Sequence, residues 1–327
     1  MISIGEFIRF FRIRNKMTQQ ELADLLGMTT KGLRNIGKGQ SVPRPGTLAL
    51  FEDHFKIKIS RFYPSNIDML TLETYRLMYE MLDLAQNNQL EKAYEQCLKL
   101  ERLDRFKNQT CLMNILYLKA RYEGEARNDW ERALSLILEA VGYVNYVTYS
   151  GTLQIDSLLP CPMEYEVLHF LGVTLLNLSD PAALQVFESI VASMEKILAD
   201  KALAQVLINL EEINELYGIY QPHLAKSYFE LGRYEEALFV IKKSLVLNAK
   251  TVNLVEKYYL HFKILIAMDR EDLALKMLPD LLVFSRRLSG SRDLRVLIAK
   301  LKEEFPHLSK KINAVYKMYT AMWELFS

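Results

Sequence analysis

The chain has 327 residues, half of them hydrophobic, with only 13 Gly and 9 Pro and a net charge of +1. That length allows two domains with ample core, and so few breakers leave little to punctuate a sheet. The near-neutral sum hides an asymmetry: residues 1–66 hold 11 Lys and Arg against 5 Asp and Glu, the remainder 30 against 35. Only the N-terminal part has the charge sign of a polyanion binder. Apolar residues recur at three and four far more often than at two, which predicts an all-α fold.

Helix 1 is expected from about Ser3 to Asn15, with Ile4, Phe7, Ile8 and Phe11 on one face and Arg9, Arg12 and Lys16 mostly elsewhere. In "TQQELADLLG", Leu22, Ala23 and Leu26 fall at helical spacing. Thr18 suits an N-cap, Glu21 stands in capping-box position and Gly27 ends the helix. The next helix opens at Thr29 and sends Leu33 and Ile36 into the same core. That leaves Thr30, Lys31, Arg34, Asn35 and Lys38 facing out. A short helix with basic and amide side chains on its free face suits the major groove of DNA. "GQSVPRPG" reads as a loop, a fourth helix begins near Thr47, and Ile57, Ile59 and Phe62 close a five-helix domain. "YPSN" (Tyr63–Asn66) is the linker.

This layout resembles the XRE-type helix-turn-helix domain of phage repressors. The resemblance covers about residues 3–63 and is carried by "IGEFIRFFR", "MTQQELADLLGM", "GLRNIGKG" and Pro43 followed by "TLALF". It implies that Gln19 meets a DNA phosphate, that Thr30, Lys31 and Asn35 reach base edges, and that Thr29, Lys38 and Gln40 make backbone contacts. One departure stands out. Arg12 matches an arginine that in this family pairs with a glutamate near the end of the recognition helix, and here that position is Gly37. Gly32 is a second glycine in the same short helix, and each weakens it by roughly 1 kcal/mol relative to Ala.

Beyond the linker the chain repeats itself. The clearest unit is "HLAKSYFELGRYEEALFVIKKSLVLNA" (His223–Ala249), whose Leu224, Ala225, Tyr228, Gly232, Tyr234, Ala237, Ile241 and Ser244 follow the tetratricopeptide pattern. Four weaker copies place packing alanines at Ala93, Ala133, Ala183 and Ala274. Their spacing exceeds a strict array, so insertions are expected at Ser150–Met163 and in "LADKALAQVLINLEEINELYGIYQ", read as an extra helix or extended repeat. Five copies in order predict a helical solenoid over residues 67–305. Residues 306–327 form an amphipathic helix with Tyr316, Tyr319, Trp323 and Phe326 on one face, expected to cap the last repeat, with dimerisation through that stripe as the alternative.

Catalytic signatures are missing: there is no phosphate-binding glycine loop, HExxH, CxxC or nucleophile elbow. Five scattered histidines lack ligand spacing. Cys97, Cys111 and Cys161 argue against a disulfide framework by their odd number, and the first two read as core residues. No enzyme activity, cofactor or metal is expected. No apolar run approaches membrane-spanning length, and "MISIGEFIRFFRIRNK" lacks a signal-peptide cleavage site, so a cytoplasmic protein without membrane contact is expected.

The combination resembles the RRNPP family of peptide-pheromone-responsive regulators (Rgg-, PlcR- and PrgX-like) of Gram-positive bacteria and their mobile elements. It implies a homodimeric transcription regulator that reads double-stranded operator DNA, with two half-sites expected, and binds a short signalling peptide in the concave face of its repeats. Extended peptides expose backbone donors and acceptors that asparagine amides satisfy, so Asn177 and Asn209 are the first candidates. His223, Lys226 and Phe229 stand at groove positions of the clear unit, and Tyr117 and Lys263 at comparable places in units two and five. The alternative is a phage- or plasmid-type repressor whose repeats bind a partner protein or serve only for dimerisation.

Overall fold

The computed structural model describes residues 4–55, 72–102, 109–144, 147–155, 162–200, 210–247 and 254–326. Four helices come first: α1 (Ile4–Arg14), α2 (Gln19–Leu25), α3 (Thr30–Gly37) and α4 (Pro45–Phe55). Ile4, Ile8, Phe11, Leu22, Ala23, Leu26, Leu33, Ile36, Leu48 and Phe51 are buried, so one apolar face per helix builds the core. Phe11 meets Phe51 edge-on with ring centroids 5.9 Å apart. α4 opens two residues earlier than the sequence predicts, because a proline pre-set in φ is at home in a first helical turn. The expected closing residues Ile57, Ile59 and Phe62, and the linker, lie outside the described residues.

The repeat region follows as helical hairpins: α5 (Leu72–Gln86) with α6 (Leu90–Glu101), α7 (Gln109–Arg121) with α8 (Trp130–Val141), and α9 (Pro162–Asn177) with α10 (Ala182–Ala199). Next come α11 (Leu210–Glu230) with α12 (Tyr234–Leu247), then α13 (Leu254–Ala267) with α14 (Glu271–Glu304), and α15 (Ser309–Phe326). Every expected packing alanine is buried: Ala93, Ala133, Ala183, Ala237 and Ala274. Each hairpin turns on one residue of left-handed backbone, Asn88, Asn128, Ser179, Gly232 or Asp269. In four of the five, the next amide reaches back over the turn at 2.9 Å: Gln89 to Leu84, Asp180 to Leu175, Arg233 to Tyr228 and Arg270 to Leu265. These bonds satisfy carbonyls that a helix end leaves orphaned. The Asn128 turn differs, since a π-helical turn (Tyr122–Ala126) adds a residue and Asp129 donates to Glu123 instead, at 2.8 Å.

A small β-hairpin begins just before the insertion expected at Ser150–Met163 and runs into it: β1 (Val147–Tyr149) pairs antiparallel with β2 (Leu153–Ile155) in the register Thr148 to Gln154. Gln185 of α10 pins it twice, accepting from the Leu153 amide at 2.7 Å and donating to its carbonyl at 2.9 Å. The described part of the second insertion is no separate helix. Leu210–Gln221 continues into the first helix of the clear unit as one 21-residue α11 with Pro222 inside.

The chain divides into two compact units, Met1–Leu216 and Tyr217–Ser327. In the second, Ala225, Ala237, Ile241, Phe262, Leu278, Leu282, Leu301, Ile312 and Tyr319 share one core. The stripe of α15 is turned inward: Tyr319 is buried, Tyr316 and Trp323 pack on the core, and Arg286 stacks on the Trp323 ring at 4.4 Å. Among the described residues of α15, the exposed large apolar side chains are Met318 and Met322. Tyr316, Tyr319 and Trp323 are therefore not the exposed surface that the dimerisation alternative requires, because the long α14 carries Leu294, Ile298 and Leu301 alongside to cover them. The side chain of Phe326 lies outside the described residues.

Candidate nucleic-acid interface

The α2–turn–α3 unit is fixed by its caps. The Thr18 hydroxyl accepts from the Glu21 amide at 3.1 Å while the Glu21 carboxylate accepts from the Thr18 amide at 2.6 Å. The Thr18 backbone amide, and after it the Thr18 side chain, hold the Glu21 carboxyl below the usual range. α2 then ends over Gly27, with the Met28 amide bonded to the Ala23 carbonyl at 2.9 Å. Thr29 caps α3 by accepting from the Gly32 amide at 3.1 Å. With Leu33 and Ile36 inward, Lys31, Arg34 and Lys38 are exposed, and Thr30 and Asn35 are half-buried beside them. Gln19 is exposed at the start of α2, and Gln40 just past the left-handed Gly39. The sequence-predicted DNA-facing residues of α3 therefore share one free face, flanked by Gln19 and Gln40 in sequence.

Two residues that periodicity gives no reason to single out prove structurally decisive. A Cβ on Gly5 would stand 1.9 Å from the Ile36 carbonyl oxygen, so only glycine lets α1 lie this close to α3. A glycine inside a helix, costly by propensity alone, was the available signal. Arg9 is exposed on α1 and lines a cleft of about 330 Å³ with Arg12, Gln19, Arg34, Gly37 and Lys38, over apolar walls that include Ile8, Leu22 and Leu33. Arg12, deprived of a glutamate at position 37, donates instead to the Met17 carbonyl at 2.8 Å.

In the repeats the candidate peptide contacts are distributed differently. Tyr117 is buried, donates to Glu166 at 3.3 Å and meets Phe170 edge-on, so it ties α7 to α9. Burial, reinforced by Glu166, raises its phenol above the usual range. Asn177 is exposed and returns its amide to the Val173 carbonyl at 2.8 Å. Asn209 lies outside the described residues. On α11, His223 is half-buried, and burial with the nearby Lys226 pushes its imidazole down to about 4. Lys226 is exposed. Phe229 and Lys263 do come together: the ammonium lies 5.6 Å from the Phe229 ring centroid, 5.9 Å from that of Tyr259, and 3.3 Å from Glu304.

The sequence pattern missed Lys257. It is fully buried on α13, and its ammonium has no hydrogen-bond partner among the described residues. One turn on, neither ring nitrogen of His261 has one either. Cys97 is buried as expected, and burial pushes its thiol up to about 12, the mark of an inert core cysteine. Among the described residues no group of His, Cys, Asp and Glu could hold a metal ion, and no helix is long and apolar enough to cross a membrane.

Comparison with known proteins bears on the fold and on the N-terminal domain. Residues 8–62 match the helix-turn-helix family HTH_3. No curated protein matches the chain in sequence. Among solved structures, Bacillus thuringiensis PlcR in complex with the peptide PapR7 and DNA is similar at 15% identity and a TM-score of 0.53, over 91% of this chain and 98% of that one. Apo ComR of Streptococcus vestibularis aligns at 16% identity and a TM-score of 0.46, over 91% and 96%. The likeness to PlcR is one of fold: all-α, a helix-turn-helix domain followed by tetratricopeptide-like repeats. The N-terminal domain is thus of the DNA-binding helix-turn-helix type.

Proposed function

We propose that the chain is a homodimeric transcription regulator. In this reading residues 1–66 bind two operator half-sites, residues 67–305 take a short signalling peptide and residues 306–327 cap the repeats. The observation that carries the DNA half is the free face of α3, where Lys31, Arg34 and Lys38 stand exposed beside Thr30 and Asn35. Amide and cationic side chains of this kind pair with base edges and phosphates in the major groove. One such helix reads only a few base pairs, and a two-fold pair spaced by a helical turn or a multiple of it supplies the missing specificity.

Support for the peptide half is architectural: the fold is shared with PlcR, whose solved complex contains a peptide and DNA. A solenoid presents a long surface built from small units that can shift against one another, so a ligand that prefers one arrangement biases the whole. Of the candidate contacts, Lys226 and Asn177 are exposed, and Phe229 with Lys263 forms one cation–aromatic cluster.

Light scattering and footprinting on the full chain, with and without a culture-derived peptide fraction, test both halves. The expected result is a dimer protecting two half-sites, with protection or spacing changed by peptide. A monomer on one half-site would overturn the dimer reading. A dimer indifferent to peptide would overturn the peptide reading and favour a partner protein.

A further inference from the structure

The cleft between α1, α2 and α3 concentrates charge in a way that recognition of bases does not require. Arg9 and Arg12, three residues apart on α1, project from one side of that helix, as do Arg34 of α3 and Lys38, four residues on at its C-cap. All four line the cleft together with Gln19, and among the described residues no acidic side chain lines it. Arg9, Arg34 and Lys38 have no hydrogen-bond or ion-pair partner among the described residues, and Arg12 commits one of its five N–H donors to Met17.

Like charges brought together above an apolar floor repel more strongly than in open water, and no acidic side chain among the described residues pairs with them. At Gly37 the wall carries no side chain, and a Cβ there would find nothing within 4 Å. At about 30 Å³ per water, some 330 Å³ holds far more than one small anion needs. Three guanidinium groups, an ammonium and an amide offer many N–H donors to a single point, a set matched to a tetrahedral, multiply charged oxyanion.

We infer that this cleft is a phosphate-group site in which Arg9 and Arg12 join Arg34, Lys38 and Gln19. The group comes either from the backbone of bound DNA or from a free phosphate compound. The first source rests on the DNA-binding reading of α2 and α3; the cleft itself does not.

The test uses the full-length protein and three variants. Arg9→Gln removes one rim cation at an exposed position, Gly37→Glu places a carboxylate in the cleft, and Arg295→Gln makes the same charge change on α14. Each is titrated against specific and random-sequence duplexes at several salt concentrations, and each is melted with and without millimolar inorganic phosphate.

If a DNA phosphate is held, Arg9→Gln and Gly37→Glu weaken both duplexes alike, by roughly tenfold, and flatten the log–log salt slope by about one, while Arg295→Gln matches the parent. If a free phosphate compound is held, duplex affinity is unchanged, but phosphate raises the melting midpoint of the parent and not of the two cleft variants. A parent that binds no duplex yet keeps the phosphate shift overturns the DNA reading and leaves the site standing. Duplex slopes and phosphate shifts identical in the parent and both cleft variants overturn the site. Should Gly37→Glu misfold by circular dichroism, Arg9→Gln decides alone.

Discussion

Lys31 and Arg34 on α3 and Lys38 just past it stand exposed with no acidic partner among the described residues, whereas Lys263, Arg270 and Lys311 of the second unit each face a carboxylate. Their partners are Glu304 at 3.3 Å, Glu235 at 2.9 Å and Glu271 at 3.2 Å. The same residue types serve two purposes. At these three places in the repeats the cation is neutralised where it sits, and such exposed pairs add little to stability. Lys31, Arg34 and Lys38 have no such partner among the described residues, and they contribute to the positive balance of the N-terminal domain. Lys257 belongs to neither class, being buried and unpaired at once.

The largest expected effect tests whether the N-terminal arrangement depends on backbone rather than charge. Gly5→Ala drives a methyl into the Ile36 carbonyl, and main chain yields less readily than a side-chain end. The cost should reach the upper end of the about 1–3 kcal/mol that overpacking takes. Loss of duplex binding is expected while the repeat helices keep their circular dichroism signal. Undiminished binding would mean that α1 can shift without disturbing α3.

Next in size is the division of labour on α3 itself. Lys31→Ala and Asn35→Ala should each lose about 1–3 kcal/mol of discrimination between specific and random duplexes. Gln19→Ala should weaken both equally. Equal losses for Lys31 or Asn35 would make them phosphate contacts, and the free face of α3 would then differ from the cleft only in position.

How far such residues can be named before a structure differs between the two regions. The α2–α3 unit was legible because its punctuation is chemical: Thr18, Glu21 and Thr29 cap, and Gly27 turns. In the repeats only Gly232 advertises its turn. Asn88, Asn128, Ser179 and Asp269 take the same left-handed backbone without glycine, so alanine spacing alone carried the repeat signal. α14 continues through Ser289, Gly290 and Ser291 because apolar residues beyond them still meet α15, a tertiary reason that local propensity opposes. Candidate groove residues fared unevenly for a related reason. Tyr117 has the right position on a first helix, but its ring is spent between neighbouring repeats.

A smaller effect probes the buried cation of the second unit. Burial holds the Lys257 ammonium below its usual 10.5, so over the interval below that value the unfolded chain binds the extra proton. Stability should therefore rise with pH across that interval. Lys257→Met should remove the rise and add roughly 1–2 kcal/mol near neutrality, a fraction of what burying a lone ion costs. On the acid side, burial pushes His261 down to about 4, with Lys242 adding to it. Stability should fall as pH drops from 6.5 toward 4, and His261→Gln should flatten that fall. Denaturant midpoints at each pH measure both, and a parent insensitive to pH in both intervals would place these groups in contact with water.

The smallest effect has the sharpest meaning, because its sign differs between two measurements on one variant. Gly37→Glu removes a helix glycine, worth about 1 kcal/mol. Against this, an acidic side chain at the last residue of α3 opposes the helix dipole by about 0.3–1 kcal/mol. The new carboxylate enters open space beside Arg12, which has donors to spare beyond its bond to Met17. A net gain of a few tenths to 1 kcal/mol in the melting of the N-terminal domain is the expected balance. On the phosphate-site inference the same carboxylate also occupies the place of an external anion, so DNA affinity should fall as stability rises. A stable variant that binds less would show the unpaired charges of this domain to be kept for a ligand at some cost to the fold. Stability and affinity rising together would mean that the cleft needed only a counter-charge, as Lys263, Arg270 and Lys311 have theirs.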